Sequence, residues 1–360
     1  MSTWSFAYEG FDPDNEDLRE ALCTLGNGYF ATRGAASELD ADEIHYPGTY
    51  LAGGYNRLKT KIAGREIENE DLVNLPNWLP LTFRMDGGEW FDLKAVEILS
   101  YRQELDIRRG LLLRKVRFRD EKDRVTTLKN RRLVHMGNPH YAALETSLTA
   151  ENWSGEIQVR SALNGRVVNA GVERYKALNN KHLEYLETDE LDEEVIFLEV
   201  RFNQSKVRVA QAARTRAFQE EEMLTPRRTT VQETGYIAQH FTIPVAGGET
   251  VRVEKVATLF TSRDLGISNC SLSARQALTQ AGSFQDLLHS HALAWEHLWR
   301  RFEINFEPHD PEKGDRTARI VHLYLFHLLQ TSSMHTKALD VGVPSRGWHG
   351  EAYRGHIFWD

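Results

Sequence analysis

Alternation of apolar and polar residues with a period of two recurs from near the N-terminus to about Arg263, and no other feature restricts the fold of this chain as much. Leu112, Val116 and Phe118 share one face of a run. So do Ala142, Leu144, Thr146 and Leu148, then Ile157, Val159, Ser161 and Leu163, then Ile196, Leu198, Val200 and Phe202. Successive side chains of a strand point to opposite faces, so each run reads as a strand with one face buried. Turn residues punctuate the runs at Asp86-Gly87-Gly88, Asn152-Trp153-Ser154-Gly155 and Asn164-Gly165. Tyr236 to Leu259 reads as a hairpin around Ala246-Gly247-Gly248-Glu249, with Pro244 at the end of its first strand, where a missing N–H does least harm. Many strands with no long helices between them predict antiparallel sheets packed face to face, in a sandwich larger than an immunoglobulin-like one.

Near Leu272 the period changes to that of a helix. Ser273-Ala274-Arg275-Gln276 has the spacing of a capping box, and Ser283-Phe284-Gln285-Asp286 marks a second N-terminus after Gly282. Leu287, Leu288, His291, Trp295, Leu298, Trp299 and Phe302 then line one helix face, read as linker packing against the sandwich. Glu307-Pro308-His309-Asp310-Pro311 interrupts, and a further helix is expected from an Asp315 N-cap towards Met334. Its Ile320, Val321, Leu323, Tyr324, Leu325, Phe326, Leu328 and Leu329 cover most of the circumference, which predicts burial on nearly all sides. That helix needs partners, and the chain stops at Asp360 directly after the apolar Ile357-Phe358-Trp359. Both observations lead to the expectation of the front part of a longer protein. The fold class is therefore mainly β with an α C-terminal part: a large antiparallel β sandwich over 1–265, a helical linker over 266–312 and a helical segment over 313–360.

Composition bounds the partners. Hydrophobic content of 41% and charged content of 27% are ordinary for a globular protein. A net charge of −8 argues against nucleic acid, which attracts basic surfaces. The pairs Arg131-Arg132 and Arg227-Arg228 read as solvated faces or strand edges. No apolar run approaches the ~18 residues that span a bilayer, so no membrane partner is expected. Met1-Ser2-Thr3-Trp4 does not resemble a signal peptide, and the expected location is the cytoplasm. Cys23 and Cys270 fit neither a disulfide framework nor a metal-ligand spacing and read as small buried hydrophobes. His322, His327 and His335 could suggest a metal, but satisfied histidines are the preferred reading and no metal site is expected.

The segment Trp348 to Asp360 carries the functional signal. Gly350 and Gly355 make it a loop. Trp359 and Tyr353 offer flat faces to the C–H side of a pyranose, while Asp360, Glu351, Arg354 and His356 offer directional hydrogen bonds to hydroxyls. A catalytic pairing of Glu351 with Asp360 is disfavoured against a Glu351 that fixes the loop by accepting from backbone or from Arg354. Gly26, Gly28 and Gly34 read as turn and strand-packing glycines, since no helix follows to complete a phosphate cradle.

Gly350-Glu351-Ala352-Tyr353-Arg354-Gly355-His356-Ile357-Phe358-Trp359-Asp360 resembles the G-E-x-Y-x-G-H-x-F-W-D segment of glycoside hydrolase family 65, which includes maltose, trehalose and kojibiose phosphorylases. Leu25-Gly26-Asn27-Gly28-Tyr29 with Arg33-Gly34, and Asn74-Leu75-Pro76-Asn77-Trp78, are similar to further family segments. The resemblance implies that 313–360 opens an (α/α)6 barrel. It also implies inverting cleavage of an α-glucosidic bond in a glucose disaccharide, with inorganic phosphate as co-substrate in a phosphorylase and no cofactor otherwise. A protonated carboxylic acid must then supply the leaving oxygen with a proton. In the family that acid is a Glu beyond the F-W-D segment, so no catalytic residue is assigned here, and this chain alone is expected to be inactive. By the resemblance, Trp359 and Asp360 contact the glucosyl unit before the scissile bond, with Tyr353, Arg354 and His356 as accompanying substrate-binding candidates. The resemblance further implies a homodimer, on which the sequence is silent. Ala352 stands where many members carry glycine, and Trp348-His349 departs from the maltose phosphorylase pattern, so the disaccharide and the choice between phosphorolysis and hydrolysis stay open. The competing reading is a non-catalytic carbohydrate-binding or scaffold module.

Overall fold

Strands are formed where the alternation lies. In the computed structural model, which describes residues 3–173, 177–304, 311–337, 339 and 341–355, nine strands pair antiparallel in one continuous path. Their order is Ser5–Glu9, Glu97–Asp106, Leu111–Arg119, Val125–Val134, Tyr141–Ala150, Thr250–Thr261, Arg208–Gln219, Val195–Phe202 and Leu183–Asp192. Glu222–Leu224 adds to Arg208–Gln219 and makes this a sheet of 10 strands. A second sheet of four runs Arg228–Glu233, Tyr236–Val245, Gly155–Asn164 and Leu81–Met85. The large sheet sends Leu105, Val116, Phe118, Leu128 and Leu148 into a core shared with Phe83, Ile157, Val159 and Phe241 of the smaller one. Phe91 stacks on Phe83 at 4.8 Å and meets Phe118 at 4.7 Å between ring centroids.

The turn at Ala246–Glu249 joins two strands, but they do not form the expected hairpin. Tyr236–Val245 pairs with Gly155–Asn164 in the small sheet, and Thr250–Thr261 pairs with Tyr141–Ala150 in the large one. The turn therefore crosses the sandwich. It runs beside the other crossing near Ala150 and is tied to it, Gly248 N–H donating to Ala150 O at 2.6 Å and Gly247 N–H to Ser154 Oγ at 2.8 Å. Gly248, at φ +88°, supplies the left-handed conformation. Alternation reports which face a strand buries; it does not report which strand lies alongside.

The other face of the large sheet is covered by helices. Leu111, Leu133, Phe197, Ala212, Val256 and Phe260 pack against helix α2 (Cys270–Gln280) and helix α3 (Phe284–Phe302), which follow a short α1 (Glu16–Leu22) near the N-terminus. Helix α2 begins earlier than the Ser273 box predicts. Asn269 caps it, its Oδ1 accepting from the N–H groups of Ser271 and Leu272, because an Asn competes for the cap as well as a Ser does. Helix α3 starts as expected, with a reciprocal capping box between Ser283 and Asp286. Its Trp295 and Trp299 bridge two neighbours. Trp299 Nε1 donates to Ile107 O at 3.3 Å, and the Trp295 ring stacks on Phe326 of helix α4 (Pro311–Thr331) at 4.8 Å.

Helix α4 begins at Pro311, before the expected Asp315, since a proline is tolerated in the first turn where its missing N–H has no helical partner. It is not buried all round. His322, Leu323, Phe326, Leu329 and Gln330 are buried, whereas Tyr324 is 68% and Leu328 56% exposed. Each of the three histidines meets a carbonyl, His322 Thr3 O at 3.0 Å, His327 Leu22 O at 3.1 Å and His335, just beyond the helix, Met136 O at 2.8 Å, while His322 Nε2 has no hydrogen-bond partner among the described residues. Both cysteines are buried and unbonded. Arg132 overturns the solvated reading of the basic pair: it is buried, with NH1 donating to Ala35 O at 2.8 Å. No helix among the described residues is long and apolar enough to cross a membrane.

Candidate functional site

Three segments distant in sequence meet where the chain's last described residues cross the sandwich. Leu25–Gly26, Phe30–Thr32 and Thr49–Leu51 form a small three-stranded sheet, and Tyr55–Ile62 with Arg65–Leu72 a hairpin beside it. Gly26 and Gly28 make room for the end of helix α4. A Cβ on Gly28 would lie 2.1 Å from the Ser333 Cβ, and one on Gly26 would lie 3.3 Å from Gln330 Oε1. The packing reading of these glycines holds, and the element they pack against is helical.

The tail is bolted to this platform. Trp348 is buried among Ala31, Tyr50, Tyr55 and Leu72. Leu72 N–H donates to Ala352 O at 2.9 Å, extending the hairpin's hydrogen bonding into the tail. The Arg33 guanidinium donates to His349 O, to Tyr46 O at 2.9 Å and to Asp17 Oδ1 at 2.5 Å. Gly347, at φ +76°, turns the chain; Gly350, one of the two glycines that mark the segment as a loop, does not take a positive φ.

Glu351 is the centre of the contact. It is 2% exposed and accepts from the Tyr46 hydroxyl, from Tyr50 Oη–H at 3.3 Å and from Gly171 N–H at 3.0 Å. A Cβ on Gly171 would come within 2.3 Å of its Oε2, which is why a glycine stands there. Burial raises the Glu351 pKa above the ordinary carboxylate value. Tyr46 is well placed to serve it as a donor. Ala170 N–H at 2.9 Å and Asn74 Nδ2–H at 3.2 Å fill both lone pairs of the Tyr46 oxygen, and its proton goes to Glu351. The nearby Val168 O accepts from Asn74 Nδ2–H at 3.1 Å.

Glu351 thus fixes the loop, as expected, but through tyrosine hydroxyls and a backbone N–H and not through Arg354. Arg354 turns outward, its Nε donating to Glu70 at 2.8 Å and its guanidinium lying 4.9 Å over the Tyr55 ring. Tyr353 is 46% exposed, and its carbonyl accepts from Ser345 Oγ at 3.0 Å. His356, Trp359 and Asp360 lie outside the described residues. The structure therefore brings Glu351, Tyr46, Tyr50 and Arg33 together and sets Arg354 apart on the hairpin.

Sequence reasoning missed Tyr46, Tyr50 and Gly171, which carry no motif; only the Arg33-Gly34 segment hinted at them. It also missed a buried polar network beneath. Glu20 accepts from Tyr46 N–H at 2.9 Å and pairs with His45 Nδ1 at 2.9 Å, and Glu16, Glu20 and His45 bring potential ligand atoms within 4.8 Å of one another. Arg33, 3.5 Å from Glu20, and Arg19, 3.9 Å from Glu16, already balance these carboxylates. Larger concavities lie elsewhere, such as a groove of about 350 Å³ beside Arg102, Lys115 and Lys129 on the large sheet's outer face.

Residues 6–298 match the family model of the glycosyl hydrolase family 65 N-terminal domain. The chain belongs to glycosyl hydrolase family 65. Residues 322–360, which include most of helix α4 and the whole tail, match the family's central catalytic domain. Relatives agree. An uncharacterised glycosyl hydrolase of Mycobacterium tuberculosis is 45% identical over 357 residues, covering 99% of this chain and 26% of its own length. A kojibiose phosphorylase of Caldanaerobacter subterraneus subsp. tengcongensis is 29% identical over 365 residues, covering 99% of this chain and 45% of its own. A trehalose 6-phosphate phosphorylase of Lactococcus lactis is 26% identical, covering 95% and 42%. A solved structure titled as a putative kojibiose phosphorylase from human microbiome superposes with a TM-score of 0.83 at 19% identity, covering 99% of this chain and 45% of that one, which establishes the shared fold. The chain spans less than half the length of each of these relatives. In this family 65 chain the platform is thus N-terminal domain, and the tail bolted to it is catalytic-domain sequence.

Proposed function

We propose that this chain forms part of an inverting α-glucoside phosphorylase or hydrolase acting on a glucose disaccharide, with inorganic phosphate as co-substrate in the first case. In this reading 1–265 is the sandwich, 266–312 the linker and 313–360 the opening of the helical catalytic barrel. The observation that carries it is the Glu351 bolt: the N-terminal sandwich holds a segment of catalytic-domain sequence in place by four buried side chains, Glu351, Tyr46, Tyr50 and Arg33. A platform that merely bound sugar has no need of that attachment. The relatives named for phosphorylases support the same direction.

Trp359 and Asp360, following directly on the bolted loop, hold the glucosyl unit, the indole covering its apolar face and the carboxylate accepting from two hydroxyls. Tyr353, Arg354 and His356 accompany them as substrate-binding residues, with Arg354 held by Glu70. The proton donor lies outside 1–360, so these residues alone turn nothing over. The test is the protein extended to the length of its relatives, assayed on kojibiose, maltose and trehalose with and without phosphate. Sugar 1-phosphate formed only with phosphate marks a phosphorylase, and free glucose without it a hydrolase. Asp360→Asn is expected to lower kcat/KM by about 10²-fold or more, for a lost charge-assisted contact strengthened in the transition state. Unchanged turnover in Asp360→Asn removes the substrate-binding assignment, and no product under either condition removes the enzymatic one for these sugars.

A further inference from the structure

The inner face of the large sheet is mostly apolar; Lys255 and Gln211 reach across it to the carbonyls of Pro80, Ala162 and Pro76, and a further polar cluster stands apart from them. Gln103, Arg114 and Asn130 stand directly opposite one another on three adjacent strands, and Arg132 lies two residues beyond Asn130 on the same face. Cross-strand neighbours have their Cβ atoms about 5 Å apart, so these side chains necessarily converge. All four are at least nine-tenths buried, at 1%, 8%, 8% and 4% exposure in that order. With residues 34–37, Leu112 and Leu144 they line a cavity of about 20 Å³, room for a single water-sized occupant.

Each of the four has other partners, and each keeps one polar atom without a strong one. Arg114 pairs with Glu38 at 2.9 Å, Asn130 Nδ2 donates to Thr146 Oγ1 at 2.8 Å, and Gln103 Oε1 accepts from Tyr101 at 2.8 Å. Arg132 donates only to the carbonyls of Ala35 and Arg33, at 2.8 and 3.1 Å, and makes no ion pair among the described residues. Left over are Arg114 Nε, Arg132 Nε, Asn130 Oδ1 and Gln103 Nε2, the last with only the weakly accepting Cys23 sulfur beside it. Three of these are donors. A water accepts two hydrogen bonds and would leave the third donor orphaned. Turning the Asn130 amide over presents a fourth donor to the cavity and keeps the Thr146 bond, because that hydroxyl donates as readily as it accepts. Glu20 and Glu38 attract Arg132 from a distance, but Glu38 is paired with Arg114 and Glu20 with Arg33, so the Arg132 charge is left without a direct partner.

We propose that this cavity binds one small anion of the size of chloride, held by Gln103, Arg114, Asn130 and Arg132. It is independent of the enzymatic reading, since it lies in the sandwich and touches none of the tail. The anion completes the coordination of the donors and neutralises Arg132, so the folded state takes it up and is stabilised by mass action.

The test compares thermal unfolding of the protein in sodium chloride and in sodium gluconate, whose organic anion is too large for the cavity, at equal ionic strength. A midpoint higher in chloride by about 2 °C is expected, the shift for a ligand at a few times its Kd. Crystals grown with bromide should show an anomalous peak within hydrogen-bond distance of Arg114 and Arg132. Asn130→Asp places a fixed negative charge in the cavity and is expected to abolish the chloride dependence. Equal wild-type midpoints in the two salts, a bromide map with only water in the cavity, or a full chloride response retained in Asn130→Asp each overturn the proposal. The first two need no variant to fold.

Discussion

Replacing Glu351 tests whether the bolt needs both carboxylate oxygens. Glu351→Leu keeps the approximate volume and removes every acceptor. The Tyr50 hydroxyl, fully buried, then loses its partner at 3.3 Å, and Gly171 N–H loses one at 3.0 Å. An orphaned buried hydroxyl costs about 1–3 kcal/mol and a lost hydrogen bond about 1 kcal/mol, so the expected destabilisation is about 2–4 kcal/mol. Glu351→Gln keeps one acceptor oxygen: turned towards Tyr46 and Tyr50 it sets its amide against Gly171 N–H, and turned the other way it leaves the two hydroxyls without an acceptor, so a cost of about 1–3 kcal/mol is expected. The pH dependence follows. Burial raises the Glu351 pKa, so its stabilising contribution is complete below the ordinary carboxylate pKa and is lost as pH rises through the folded-state value. The Gln variant lacks that slope. Urea unfolding and the rate of native-state proteolysis within 341–355 read both effects. If Glu351→Gln is harmless while Glu351→Leu is damaging, the need for both carboxylate oxygens as acceptors is refuted. If neither is damaging, the tail is not held by this residue.

Two further outcomes follow from the fold. His135, His182 and His327 have pKa values lowered by burial to about 4, and His291 to about 3. At His291 burial dominates and the nearby His135 adds to it; its Nδ1 accepts from Met136 N–H at 3.0 Å, while its Nε2–H donates to Gly110 O at 3.1 Å. Folded pKa values below the unfolded 6.5 stabilise above that pH and lose the contribution as pH falls towards 4, by up to about 3 kcal/mol for each histidine. Thermal midpoints should therefore fall from pH 6.5 to 4, and a flat profile there refutes the neutral assignments. Asn269→Ala should cost about 1 kcal/mol in chemical denaturation and Ser273→Ala under about 0.5 kcal/mol, the reverse of what the capping-box spacing predicts.

The two-layered β architecture and the helical end were legible in the chain, because each rests on short-range information. Alternation survives in any stretch of Leu112 to Phe118, and Ser283 with Asp286 makes a cap from residues three apart. Where the local signal had two solutions it misled: Ser273 and Asn269 both cap, and the Ala246–Glu249 turn suits a hairpin as well as a crossing between sheets.

What the tertiary structure alone decided is which distant residues share a site. Glu351 meets Tyr46 and Tyr50 across some three hundred positions, and Gln103, Arg114, Asn130 and Arg132 meet through strand register. The pairing of strands and the seating of a loop are set by the free energy of closing the whole core, to which every layer contributes. A polar residue's value in that core depends on partners that no local window contains, which is why Arg132 reads as a surface charge in the sequence and is a buried guanidinium in the fold.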